Sequence, residues 1–215
     1  MVRADLHIHT CYSMDSATTI QQVIRRCTKV GINCVAIADH GTTAGGIALQ
    51  KVAPFKVIVA EEILTDEGEI IGLFLTHDIP SRIPAVDAIA RIREQGGLVY
   101  LPHPCDRIRE SILLDERMLE ILPSVDAIEV FNSRALPPDA NRRALGIARE
   151  HGIPGGTGSD AHTPLEIGNA WIEMPDFDDK YGFLRSLAQG NIVGKRSNPL
   201  HRFSSVWARI TNIFN

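Results

Sequence analysis

The sequence contains no pair of cysteines at the CxxC spacing that thiolate zinc sites and redox motifs use; Cys11, Cys27, Cys34 and Cys105 stand apart. They read as reduced thiols, with Cys11 and Cys105 close enough to histidine motifs to line a site. No apolar run approaches the roughly 20 residues that cross a bilayer, so no membrane span is expected. There is no basic excess either. The 22 lysines and arginines against 26 aspartates and glutamates leave a formal charge of −4, and long nucleic acid needs a positive track to release counterions. The opening Met-Val-Arg leads straight into a strand pattern, which predicts no signal peptide and a cytoplasmic protein. No linker, repeat or low-complexity tract divides the 215 residues, so one domain over 1–215 is expected. Apolar and charged fractions of 44% and 22% are those of an ordinary soluble globular protein.

What is present is a regular alternation. "RADLHIH" reads as a strand. Thr18 or Thr19 can cap a helix carrying Ile20, Val23, Ile24, Cys27 and Val30 on one face, with Gly31 at its end. "CVAIAD", "FKVIVAEEIL" and "GEIIGLFL" are three further strands, the last two joined by a "TDEG" turn. "PAVDAIARIREQGG" is bounded by Pro and Gly as a helix. Then come strand "LVYLPHP", helix "DERMLEIL", strand "DAIEVFN", helix "PDANRRALGIAREHG", and "IPGGTGSDAH", a strand running into a loop. The last part adds "AWIEMP", a helix near "DDKYGFLRSLAQG", the polar link "GKRSNP" and a closing stripe of Val206, Trp207, Ile210 and Phe214. That stripe predicts a terminal helix over 203–215, docked on the body or on a partner. Such alternation implies an α/β fold with a largely parallel sheet, open or closed into a barrel.

The polar outliers fall in a pattern. His7 and His9 end the first strand, where residues two apart share a face with α-carbons roughly 6.5 Å apart, as two nitrogens converging on one cation require. Asp39 and His40 end the second strand, Glu61 and Glu62 the third. His103 ends "LVYLP", Glu129 and Asn132 flank the end of "AIEVF", and Asp160 and His162 follow "IPGGTGS". In parallel α/β folds the carboxyl ends of strands gather at one rim, where sites are built. His151 in a helix-terminal "EHG" and His201 in the polar tail lie outside the pattern and read as surface residues. The donor count exceeds one ion's needs and suits two or three. The alternative, a buried polar network without cations, is costly because so many nitrogens and carboxylates would lose water together.

"DLHIHTCYSMD", "AIADH", "EEILT", "PHP" and "GSDAH", in that order, resemble the PHP (polymerase and histidinol phosphatase) phosphoesterases over most of the chain. The resemblance implies a distorted (β/α)7 barrel and a centre of two or three divalent ions, manganese, iron or zinc. It implies that His7, His9, Glu62 and Asp160 hold a first ion, and that Glu62 bridges to a second completed by His103 and one further residue. Asp15, His40 and His162 would hold a third. Glu62 is chosen over Glu61 because the family reads Glu-Ile-x-Thr, here Glu62 to Thr65. Many members have a histidine in His-x-x-Gly where this chain has Glu69. Glu69 can substitute for it, favouring manganese or iron over zinc; otherwise the second ion is held weakly, or His77 substitutes from the far end of that strand. Glu62, Asp39 and His162 form the expected catalytic set, with Asp39 orienting an imidazole or relaying a proton.

The implied reaction is hydrolysis of a phosphomonoester or phosphodiester by a water that two ions activate, attacking phosphorus in line. Arg107 and Arg109 after "PHPCD" and Arg134 after "VFNS" are the expected phosphate-binding guanidinia. Asn132 either hydrogen-bonds substrate or caps a turn. The expected partner is a small phosphorylated metabolite, a nucleotide or an oligonucleotide end, and nothing in the sequence specifies an oligomer. Two other readings stand beside this one: an accessory PHP module with weak catalysis, and amidohydrolase-type cleavage of a carbon–nitrogen bond on the same rim.

Overall fold

The computed structural model describes residues 1–106 and 115–198. Arg107, Arg109 and the predicted helix over 203–215 lie outside these residues. The elements run β1 (Val2–Ile8), α1 (Ile20–Val30), β2 (Cys34–Ile37), α2 (Ala44–Gln50), β3 (Lys56–Leu64), β4 (Glu69–Leu73), α3 (Ala85–Glu94) and β5 (Leu98–Leu101). They continue with α4 (Asp115–Ile121), β6 (Ala127–Asn132), α5 (Ala140–Glu150), β7 (Gly155–Gly158), β8 (Ala170–Met174), α6 (Lys180–Leu187) and β9 (Asn191–Gly194).

The local signals explain the helices. At α1, Thr19 accepts from the Gln22 backbone N–H while the Gln22 side chain accepts from the Thr19 N–H, a reciprocal cap worth roughly 1 kcal/mol. Ile20, Val23 and Cys27 form its buried face, and Gly31 ends it at φ 77°, a left-handed conformation that costs glycine little. Helix α2 forms across two glycines despite their poor propensity. A β-carbon on Gly45 would stand 2.0 Å from Asp39 Oδ2, so that turn admits no side chain.

The sheet order is β7-β6-β5-β4-β3-β2-β1-β8-β9. It curls so that β7 returns to β1: Ile8 bridges Ala161, and the His9 N–H donates to the Ala161 carbonyl at 2.9 Å. Strands β1 to β7 thus make a nearly closed, distorted barrel, and β8 and β9 extend the sheet beyond β1 in antiparallel pairing. The sheet is not parallel throughout. β4 runs antiparallel to both β3 and β5, because the short "TDEG" turn folds the chain straight back where a parallel connection needs a long crossover. This reversal brings the start of β4, Glu69, to the same rim as the ends of its neighbours. β9 has no counterpart in the sequence reading, since "NIVG" is too short and too exposed to show alternation.

Inward-facing residues follow the two-residue period and change character along the barrel. Ile58 and Ala60 lead up β3 to Glu62; Ala36 and Ala38 lead up β2 to His40; Leu73 and Ile71 lead along β4 to Glu69; Ala127 leads up β6 to Glu129. The lower interior is apolar, sealed by Phe177 and Phe183 from the α6 region. A second apolar cluster lies under α3 and α4.

Candidate metal centre

The upper interior gathers nearly every donor that the sequence placed there. His7, His9, Asp15, Glu62, Glu69, His103, Asp160 and His162 are buried, and His40 has the most exposed side chain of the nine at 18%. Their ligating atoms form four overlapping groups, within each of which all atoms lie inside 4.8 Å of one another. One is His7, His9 and Asp160; a second is His7, Glu62 and His103; a third is His9, Asp15, His40 and His162; the fourth is His40, Glu62 and Glu69. Glu62 is central. Its Oε1 lies 3.0 Å from His103 Nε2, and its Oε2 lies 3.3 Å from His7 Nε2, 3.4 Å from His9 Nε2 and 3.5 Å from His40 Nδ1.

This donor set fits divalent cations. His7 Nε2 and His9 Nε2 face each other at 3.1 Å, an arrangement that an ion between lone pairs relieves. His9 Nδ1 and His103 Nδ1 are buried with no hydrogen-bond partner among the described residues. The mixture of imidazole and carboxylate suits zinc, manganese or iron.

Backbone geometry supports the site. His103 and Asp160 are non-glycine residues at φ 27° and 53°, a conformation that costs energy and clusters where side chains must be aimed. In β1 the pairing register with β2 shifts between Asp5 and Ile8. Leu6 therefore stays with the apolar interior while His7 joins the rim. Gly158 lets β7 close on β1: a β-carbon there would stand 2.2 Å from His7 Cβ and 2.5 Å from Glu129 Oε1.

The electrostatics divide the histidines into two kinds. Burial works against the charged form of His7, yet Glu62, Glu129 and Asp160 raise its pKa well above the ordinary value. His40 is likewise raised, to about 9; burial opposes its charge, and Glu62 and Asp15 outweigh that. His9 is lowered, chiefly by burial and by the charges of His40 and His7. His162 is lowered to about 4 by burial, His9 and the Arg134 guanidinium. Burial would raise both Asp15 and Glu62, but histidines hold each below the usual carboxylate range: His162 and His40 for Asp15, His7, His40 and His103 for Glu62.

The other residues singled out in the sequence are placed as follows. Asp39 accepts from the Thr10 N–H at 2.5 Å and from Thr10 Oγ1 at 2.7 Å. Asp39 thereby pins the loop between His9 and Asp15. Asn132 caps the turn by accepting from the Arg134 N–H at 2.8 Å, and donates to Glu129 Oε2 at 2.9 Å and Asp160 Oδ2 at 3.2 Å. Its side chain serves the protein's own groups. Arg134 is buried, contacts His162 Nδ1, donates to the Asp160 carbonyl at 3.3 Å and lies 3.7 Å from Glu166. Glu61 faces away from the cluster and accepts from the Ile79 N–H. His77, at the far end of β4, is exposed. Glu166, which accepts from the His162 and Thr163 N–H groups, carried no signal in sequence, since its role depends on a loop conformation.

Comparison with known proteins agrees with this fold. The PHP domain profile matches residues 5–82 and a PHP-associated profile matches residues 138–192. An uncharacterized protein of Methanocaldococcus jannaschii is 38% identical over 183 residues, 82% of this chain and 72% of its own. A two-domain protein of Bacteroides vulgatus, described as containing a predicted PHP-like metal-dependent phosphoesterase, superposes with a TM-score of 0.71 at 16% identity, over 90% of this chain and 65% of that one. An amidohydrolase of Chromobacterium violaceum, solved with bound sulfate and no metal, gives a TM-score of 0.65 at 17% identity, over 89% of this chain and 97% of that one. With these matches spanning both ends of one sheet, and the family's donors converging at one rim, this chain belongs to the PHP family.

Proposed function

We propose that this protein is a metal-dependent phosphoesterase that hydrolyses a small phosphorylated metabolite, a nucleotide or an oligonucleotide end. The observation that carries the reading is the cluster in which Glu62 stands within 3.5 Å of four imidazoles while Asp15, Glu69 and Asp160 complete overlapping donor groups. His7, His9, Glu62 and Asp160 would hold one ion. Glu62, His103 and Glu69 would hold a second; Glu69 Oε2 lies 3.7 Å from His103 Nε2. Asp15, His40 and His162 would hold a third. When bound, such ions supply an activated water and neutralise charge on phosphoryl oxygens.

The chain's own groups do the rest. Glu62 faces donors of every group and fixes the spacing of the centre. Burial and His9, with Arg134 behind them, disfavour the charged form of His162, and Arg134 is the proposed guanidinium for the phosphoryl oxygens. Asp39 and Thr10 hold the loop that brings Asp15 to His162 Nε2 at 3.1 Å. The accessible edge of His40 marks the side from which substrate would enter. With Glu69 in place of an imidazole, the second position has more oxygen donors and favours manganese or iron.

The test is an assay of manganese-loaded protein against p-nitrophenyl phosphate, its bis-ester and a panel of N-acyl amides. Turnover of either phosphoester above the amides supports the reading, and the ratio of mono- to diester rates assigns the bond. Amide cleavage alone would replace it with the amidohydrolase reading. Fewer than one ion per chain, with no gain on adding manganese, would leave an accessory module.

A further inference from the structure

Glu129 is buried just below the donor cluster and belongs to none of its four groups. Its carboxylate nevertheless meets three of the barrel's segments. Oε1 lies 3.2 Å from His7 Nδ1 on β1; Oε2 accepts from the His103 backbone N–H at 2.8 Å after β5, and from Asn132 Nδ2 at 2.9 Å at the end of β6. Asn132 carries the connection onward to Asp160 Oδ2 after β7. An ionised carboxylate only accepts, so the His7 nitrogen facing it must be the protonated one. His7 Nε2, the atom that faces His9, Glu62 and Asp160, is then left with its lone pair toward the ions. The His103 N–H bond also holds the residue in its unusual backbone conformation.

We infer that Glu129 is a positioning residue: it selects the Nδ1–H tautomer of His7 and ties ligands of the first and second ions, through His103 and Asn132, to one carboxylate. The inference rests on the ion-binding reading above and goes beyond it by giving one residue outside the donor set control over two positions. The third position, built from Asp15, His40 and His162, is outside its reach.

Glu129→Gln tests this with almost no change of shape. An amide offers one accepting and one donating end. Two donors, the His103 N–H and Asn132 Nδ2, claim its oxygen, and its NH2 then faces His7 Nδ1. That nitrogen becomes an acceptor, and the imidazole proton moves to Nε2, where it blocks the ion. Outer partners of ligating histidines typically change metal affinity about 10- to 100-fold. The experiment uses full-length protein loaded with zinc, which is diamagnetic, and reads long-range 1H–15N spectra of the histidines together with zinc affinity and stoichiometry. Wild type should show His7 protonated at Nδ1. Glu129→Gln should lose that signature and bind the first and second ions on the order of 10- to 100-fold more weakly, keeping the third. Glu129→Asp retains an acceptor-only carboxylate and should recover part of both. Wild-type affinity in Glu129→Gln, or Asp rescuing no better than Gln, overturns the inference. If the Gln variant does not fold, the wild-type spectrum decides alone, since a His7 proton on Nε2 would equally overturn it. Wild-type protein that binds no zinc, manganese or iron would instead remove the metal-centre reading.

Discussion

The two ends of the barrel handle charge in opposite ways. At the base, where the strands begin, charges pair one to one and remain partly exposed: Lys56 with Asp176 at 2.5 Å, Arg93 with Asp126 at 2.6 Å and Arg3 with Glu173 at 3.0 Å. Beneath them lies an apolar plug in which Phe183 meets Phe74 and Phe177 edge-on at 5.4 and 5.2 Å. At the rim, five imidazoles and four carboxylates crowd together in overlapping groups, almost all buried. No one-to-one pairing satisfies them. The base is arranged to be stable by itself, whereas the rim is arranged around cations that the polypeptide does not supply. Burying such donors is costly unless each is compensated, and the apolar lower interior, at roughly 1.5–3 kcal/mol for each large side chain fully buried, offsets that cost.

This contrast can be broken at either end. The largest effect is expected for Glu62→Ala, which removes the donor common to the centre: turnover should fall to background and bound metal should drop, as read by phosphoester assay and metal analysis. Unchanged activity in that variant would contradict the assignment. Next, Phe183→Ala should destabilise the fold by about 3–5 kcal/mol in denaturant unfolding, while the folded fraction keeps its metal stoichiometry. Loss of metal with no loss of stability would reverse the roles given to the two ends. A smaller change is expected for Glu69→His, which restores the commoner family donor. Competition between zinc and manganese should shift toward zinc by about tenfold, a difference of roughly 1.4 kcal/mol; an unchanged preference would place Glu69 outside the coordination shell. The smallest effect belongs to Lys56→Ala. A pair this exposed contributes under about 1 kcal/mol, so thermal unfolding should barely move and metal affinity should not move at all.

Much of the site was legible in the sequence because its donors are polar residues in apolar strands. His7 and His9 at the end of "ADLHIH", Glu62 two residues beyond Ala60 and Asp160 after a glycine run all violate the surrounding hydrophobic pattern. A violation of that kind needs no partner to be seen. Asp39 is the counterexample: as conspicuous as His40 beside it, it is taken up by Thr10, and its neighbours in sequence gave no sign of this. Glu129 was visible at a strand end, but two of its three partners, His7 and the His103 N–H, come from segments far away in the chain, so its position alone carried no role.

Most inward faces, the helix ends and the side chains out of place in an apolar interior could be read along the chain, because period, caps and composition act over a few residues. Long-range packing was needed to set the rest: β4 runs backward and delivers Glu69 to the rim, β7 closes on β1 where Gly158 leaves room for His7, the β1 register shifts between Asp5 and Ile8, and one carboxylate on β6 serves three segments. Strand direction, closure and shared hydrogen bonds are properties of pairs of distant segments, and the two-residue period of a strand is the same whichever way it runs and whatever lies beside it.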